Sequence, residues 1–216
     1  MKVAIKIGGS LAIDDYGPKI EYFRRLIPVV KKVAKKCDKL IIGIGGGKLI
    51  RNYYKRIAPF LDKEKQEWLA IDLLRANARF LAYVFGGKPV FDLKKIPRSK
   101  ILTIAGITPG RSTDANAALL AERFGVDLFI ILTDVDGIYT KNPKKHKDAI
   151  LIKEIKFKML KKLAKKKTSP GNYGVVDPLA LKIISRSKIH TFVINGKDPK
   201  NIIRVINGEN PGTKIN

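Results

Sequence analysis

The chain has 216 residues, 45% hydrophobic and 29% charged, a length and balance that suit one domain with a real core and exclude a largely disordered polymer. Its one cysteine, Cys37, excludes an internal disulfide framework, and no run comes near the roughly 20 apolar residues of a membrane helix. The net charge of +25 calls for an anionic partner, but the lysines are scattered over helix faces, as in KKVAKK and KFKMLKKLAKKK, without the aromatics that stud a nucleic-acid groove.

The opening MKVAIKIGGS is interrupted by Lys6 and has no apolar signal-peptide region, so a soluble cytoplasmic protein is expected. Residues 2 to 7, KVAIKI, alternate in polarity and stop at GGS: a strand meeting a glycine turn. Ile20, Phe23, Ile27, Val30 and Ala34 then recur at helical spacing, and Pro28 predicts a kink near Ile27. KLIIGI, residues 39 to 44, is a second strand ending in GGG, and KLIRNYYKRI continues with helical spacing. A longer helix is expected from Lys63 to Phe85, with Trp68, Ile71, Leu74 and Ala78 on one face and Gly86-Gly87 as its stop.

The strand KILTIAG, a helix from about Thr113 to Phe124 and the strand DLFIILT follow. The remainder reads as a basic helix near 155 to 166, a loop TSPGNYG, a helix in VVDPLALKIISRS, a strand IHTFVI and a closing helix, turn and strand. Alternating helices and nearly continuous apolar strands predict an α/β fold with a largely parallel sheet covered on both faces. Ligands sit at the carboxyl ends of such strands, where GGS, GGG, GITPGRST and TDVDG all fall.

Glycine lets backbone N–H groups approach a ligand, and a helix N-terminus adds free donors and a favourable dipole for anions. Neither GGS nor GGG matches the P-loop or G-x-G-x-x-G, which excludes a Walker-type kinase. In TPGRSTDA, Pro109-Gly110 sets a turn while Arg111, Ser112 and Thr113 offer donors to a phosphate; alternatively Ser112 or Thr113 caps the helix and Arg111 is solvated. Asp114 either complements the helix dipole or orients a lysine or metal-bound water, and Lys6 either neutralises a transferring phosphoryl group or points to solvent. His146, His190 and Cys37 are isolated in sequence and carry no visible chemistry.

The motifs KIGGSL, GIGGGKLIRNYY, LLRANARFLA, TPGRSTDANAALLAE, TDVDGIYTKNP and VVDPLALKIISRS, in this order over almost the whole chain, resemble the amino acid kinase superfamily, and within it the archaeal-type uridylate (UMP) kinases. The resemblance implies a three-layer α/β/α sandwich, an acceptor nucleotide on the N-terminal part and ATP mainly on the C-terminal part. It implies Gly8, Gly9, Ser10, Gly47 and Arg51 at the ATP phosphates, and Thr133, Asp134, Tyr139 and Asn142 around the adenosine. Gly46, Arg75 and the stretch Ile107, Thr108, Pro109, Gly110, Arg111, Ser112 and Thr113 would bind the acceptor. Lys6, Lys182 and Asp114 would serve the transferring phosphoryl group, with Mg²⁺ carried by ATP and water and no protein metal cage. Relatives with this resemblance assemble as homo-oligomers, commonly hexamers.

Some positions depart from that pattern. Glu67 replaces the ribose-facing aspartate, Ala70 a glycine, Ile107 and Leu74 threonines, and Arg111 a His or Gln. The nearest rival is therefore a kinase of the same superfamily acting on an apolar alcohol phosphate, such as isopentenyl phosphate or aminomethylfuran-methyl phosphate. A basic nucleic-acid binder and a non-catalytic ligand sensor are more distant alternatives.

Overall fold

The computed structural model describes residues 1–160 and 176–216. The strands are β1 (Lys2–Ile7), β2 (Lys39–Ile44), β3 (Lys88–Val90), β4 (Ile101–Ile104), β5 (Leu128–Thr133), β6 (Ile138–Tyr139), β7 (Leu151–Ile152), β8 (Glu154–Ile155), β9 (His190–Asn195) and β10 (Thr213–Ile215). The helices are α1 (Gly9–Ala12), α2 (Ile20–Lys36), α3 (Gly47–Ile57), α4 (Lys63–Phe85), α5 (Thr113–Arg123), α6 (Pro178–Arg186) and α7 (Lys200–Ile206). Eight strands form one sheet in the order β3-β4-β2-β1-β5-β9-β10-β8, and β6 pairs with β7 as a separate antiparallel ribbon. Within the large sheet only the β9–β10 pairing is antiparallel. This is the α/β architecture expected from the alternation of elements.

Strand periodicity sorts the core into two layers. Val3, Ile5 and Ile7 of β1 join Leu40, Ile42 and Ile44 of β2 on the face covered by α2 and α4. Ala4 and Ile41 point the other way, toward α5 and α6. Lys6, one step on from Ile5 along β1, shares the α5 face with Ala4, so its polarity among apolar neighbours is set by what α5 presents. That helix packs closely because it buries Ala115, Ala117, Ala118 and Ala121 along with Leu120. A Cβ on Gly43, opposite Lys6 in β2, would lie 2.9 Å from the Ala117 Cβ and 3.6 Å from the Lys6 Cγ, so glycine there makes room for both. Leu120 is fully buried, and its truncation to alanine should cost about 2–5 kcal/mol.

Helix ends follow the local chemistry. Asp62, Ser112 and Asp177 cap α4, α5 and α6, each accepting a backbone N–H from three residues on, and Gly86 closes α4 at a φ of 69°. Glu122 of α5 accepts from Arg186 Nε at 2.7 Å and Nη2 at 2.5 Å, and from Ser187 Oγ at 2.5 Å, tying α5 to α6.

Several expectations change. Pro28 lies inside α2, which is one helix of 17 residues; the proline is exposed, where water can serve the carbonyl left without an N–H donor. The buried stripe of α2 is Tyr22, Phe23, Leu26, Val30 and Val33, leaving Ile20 67% exposed, because Phe23 packs edge-on to Phe80 and sets the helix rotation. Trp68 is likewise partly exposed, and α4 instead buries Ala70, Ile71, Ala78, Leu81 and Phe85. Strands β3, β6, β7 and β8, of two or three residues each, were not expected. Of the basic helix expected near 155 to 166, residues 157 to 160 are helical and 161 to 166 lie outside the described residues, as does the whole loop TSPGNYG.

Candidate active site

Four loops leave the carboxyl ends of β1, β2, β4 and β5 on one edge of the sheet, and the first two touch. A Cβ on Gly9 would lie 2.3 Å from the Gly47 nitrogen, and one on Gly47, whose φ is +63°, would lie 2.6 Å from the Gly9 carbonyl oxygen. Only glycine permits that approach, so GGS and GGG fold as one unit. Gly8 N–H donates to the Leu132 carbonyl at 3.0 Å, which pins the first loop to the end of β5. The N–H groups of Gly9, Gly46 and Gly47 take no carbonyl partner among the described residues, and they open beside the N-terminus of α3. Free backbone donors at a helix start favour an anion. Ser10 is exposed on α1, and its carbonyl accepts from Lys19 Nζ at 2.8 Å.

The α5 N-terminus closes this cradle. A Cβ on Gly45 would be 3.7 Å from the Thr113 hydroxyl oxygen, which brings the TPGRST stretch against the glycine loops. One residue further, Asp114 Oδ1 lies 2.5 Å from Lys6 Nζ, with side-chain exposures of 14% and 12%. A nearly buried ammonium held by a nearly buried carboxylate is fixed in place, so its charge needs no reorganisation when negative charge develops nearby. Asp114 thus orients Lys6, whatever it also contributes to the helix dipole. Ser112 accepts from Ala115 N–H at 3.0 Å and is the α5 cap.

On one side of this pair is a cleft of about 250 Å³ between α3, α4 and the loop after β4. Its floor is apolar, with Ile50, Ala70, Ile71 and Leu74; its rim carries Tyr54, Glu67, Thr108 and Arg111. Gly46 is not part of the lining but abuts it through Ile50, since a Cβ on Gly46 would lie 2.4 Å from Ile50 Cδ1. Glu67 Oε2 accepts from Gly110 N–H at 2.7 Å, across 43 residues of sequence. Burial, and secondarily the Glu67 charge, push the Tyr54 phenol above its ordinary pKa. Ile107 is half-buried and packs against the α5 and α6 core layer. Arg75 stands apart from the cleft lining: its Nη1 lies 3.2 Å from Asp72 and its guanidinium faces the Phe91 ring at 5.9 Å.

On the other side, at the ends of β5 and β9, polar groups are already partnered. Asp134 pairs with Lys144; burial acts to raise its carboxyl, but the Lys144 bond and charge outweigh that and hold it below the usual value. Asp136 accepts from Asn195 Nδ2 at 2.8 Å and Tyr139 OH at 2.9 Å, two bonds that lower its carboxyl. Burial and the bond to Asp136 in turn raise the Tyr139 phenol. Asn142 Oδ1 accepts from Lys144 N–H at 3.0 Å and shapes the turn that delivers Lys144. Thr133 pairs in register with Asn195, and its carbonyl accepts from Gly196 N–H at 2.8 Å.

Asn195 and Asp136 were missed from the sequence, although NGK after an apolar strand repeats the strand-then-glycine signal of the other loops. Arg51 is exposed on the second turn of α3. Lys182 is exposed on α6, and no ion pair joins it to Asp114.

The chain matches the model of the amino acid kinase family over residues 1–195. The uridylate kinase of Methanobrevibacter smithii is 35% identical over 228 residues, with 100% of this chain and 99% of that one covered. The uridylate kinase of Pyrococcus abyssi is 36% identical over 225 residues, again with 100% and 99% covered. A crystal structure of uridylate kinase from Archaeoglobus fulgidus has a TM-score of 0.83 at 32% identity, covering 100% of both chains. Fold and site together define an ATP-dependent phosphotransferase. The chain belongs to the amino acid kinase family.

Proposed function

We propose that this enzyme transfers the γ-phosphoryl group of ATP to UMP, giving UDP and ADP. The observation that carries the reading is the Lys6–Asp114 pair at the junction of the glycine loops, between a cleft and a separate polar cluster. Full-length similarity to uridylate kinases supports the choice of UMP. In this reading an acceptor phosphate oxygen attacks the γ-phosphorus in line, the bond from that phosphorus to the β–γ bridging oxygen breaks, and the electron pair leaves with ADP. Lys6 stabilises charge on the equatorial oxygens, Asp114 fixes Lys6, and Lys182 approaches as a second cation. The reaction asks the protein for positioning and charge rather than covalent chemistry, which suits a site without an activated nucleophile.

The roles divide along the chain. Gly8, Gly9, Ser10, Gly47 and Arg51 bind the ATP phosphates; Thr133, Asp134, Tyr139 and Asn142 hold its adenosine. Gly46 and residues Ile107 to Thr113 bind UMP, and Arg111 on the cleft rim meets its phosphate; Arg75, outside the cleft lining, must leave Asp72 to join them. The first half of the chain thus serves the acceptor and the second the donor. In this reading Mg²⁺ enters as part of the donor, carried on the ATP phosphates and water.

A cytoplasmic location belongs to this reading through the full-length similarity to uridylate kinases; separately, no described helix is long and apolar enough to cross a membrane. A homo-oligomer, with a hexamer as the proposed state, belongs to this reading. The test is ATP/Mg²⁺-dependent phosphorylation of UMP, CMP, AMP and isopentenyl phosphate in parallel. Strong preference for UMP is expected. Turnover of isopentenyl phosphate alone would move the acceptor to a non-nucleotide phosphate, the reading that the apolar floor of Ile50, Ala70, Ile71 and Leu74 favours second.

A further inference from the structure

We infer that Glu67 is a positioning residue whose carboxylate latches the acceptor loop shut through the Gly110 N–H, a different task from that of a carboxylate that faces a ribose. Among the described residues, the stretch from Gly106 to Arg111 makes one hydrogen bond to another part of the chain beyond its own Pro109-Gly110 turn, the 2.7 Å bond from Gly110 N–H to Glu67 Oε2. Its other tie to α4 is apolar: a Cβ on Gly106 would lie 2.9 Å from Leu74 Cδ1 and 3.2 Å from the Ile71 Cα. A loop with a Pro-Gly turn and a single polar anchor has many alternative conformations, and the anchor selects one. Gly110 holds a φ of +72°, a conformation that presents its N–H to α4.

What the latch holds is Arg111, the next residue and the cation on the cleft rim. Releasing Gly110 lets Arg111 leave the position from which it meets an anionic acceptor. Reach decides the residue type. A glutamate has one methylene more than an aspartate, and an aspartate at position 67 stops short of the Gly110 nitrogen. A glutamine keeps both the length and a carbonyl oxygen that accepts from N–H. The latch therefore tolerates loss of charge but not loss of length.

The inference rests on the UMP reading only for its kinetic arm. Amide hydrogen exchange of the peptide spanning residues 106 to 112, measured on the intact protein without nucleotides, tests the latch whatever the acceptor is. Protection in wild type and Glu67→Gln, lost in Glu67→Asp and Glu67→Ala, is the expected pattern. In the kinetic arm, Glu67→Asp and Glu67→Ala should raise the UMP KM about 10- to 100-fold, the range for loss of one charge-assisted hydrogen bond, while the ATP KM and Tm stay at wild-type values. Glu67→Gln should restore most of that loss. Equal exchange in all four proteins, or an Asp variant that binds UMP as wild type does while the Gln variant fails, would overturn the latch. Absence of UMP turnover in wild type with the exchange pattern intact would overturn the acceptor assignment and leave the latch standing.

Discussion

The two sides of the site solve different problems. The cleft between α3 and α4 is largely apolar and its loop hangs on one long-range hydrogen bond, whereas the cluster at the ends of β5 and β9 is cross-linked before any ligand arrives. Asp134 has Lys144, Asp136 has Tyr139 and Asn195, and Thr133 has Gly196. A pre-paired cluster costs little to organise on binding, so it suits the donor that every turnover uses. A singly anchored loop can open and close, so it suits the half that must choose its acceptor. The Lys6–Asp114 pair stands between them and belongs to neither.

The largest effect should come from that shared element. Asp114→Asn removes the charge that fixes Lys6 and should lower kcat about 10²- to 10³-fold, with UMP and ATP KM values changed much less, as steady-state kinetics would read. Sharp changes in KM instead would assign Asp114 to one side of the site.

Next is the seam where the glycine loops touch. Gly9→Ala drives a methyl into the Gly47 nitrogen, and should lower stability by about 1–3 kcal/mol and weaken ATP binding, seen by thermal melts and calorimetric titration. Because the neighbour is backbone, no side chain can swing away.

A smaller effect is expected in the cross-linked cluster. Asp134→Asn leaves Lys144 without its carboxylate and should raise the ATP KM by about three- to tenfold while leaving the UMP KM unchanged. A change in the UMP KM would blur the division between the halves.

The smallest is a pH effect on stability. The Asp136 carboxyl is held below its ordinary value of 3.8 by Asn195 and Tyr139. A depressed folded pKa contributes stability that is present above the unfolded value and is lost as pH falls through the folded one. The Tm gap between wild type and Asp136→Asn should therefore be full at neutral pH and shrink below about pH 3.8. A gap that does not vary with pH would remove the linkage.

Much of this arrangement is legible in the sequence, because it rests on local signals. The parallel strands announce themselves as apolar runs, the glycine loops follow them directly, and Ser112, one of two candidate caps, begins α5. Lys6 on the α5 face follows from strand alternation once β1 is known. What escaped depends on distance or on shortness. The bond from Gly110 to Glu67 joins residues 43 apart, and no pattern in either stretch foretells it. Strands β6, β7 and β8 are two residues each, too short for a period to appear, and β3 is masked by Pro89. Periodicity alone does not choose the face of α2, because Ile20 and Tyr22 both fit a helical stripe and the packing of Phe23 on Phe80 decides between them.

The most direct test of the account is the single-turnover rate of γ-phosphoryl transfer from ATP to UMP in Lys6→Ala, with both nucleotides bound at saturation and their Kd values measured separately. The account predicts a rate about 10²- to 10³-fold below wild type with both Kd values within a few-fold of wild type. A wild-type transfer rate in Lys6→Ala would contradict it.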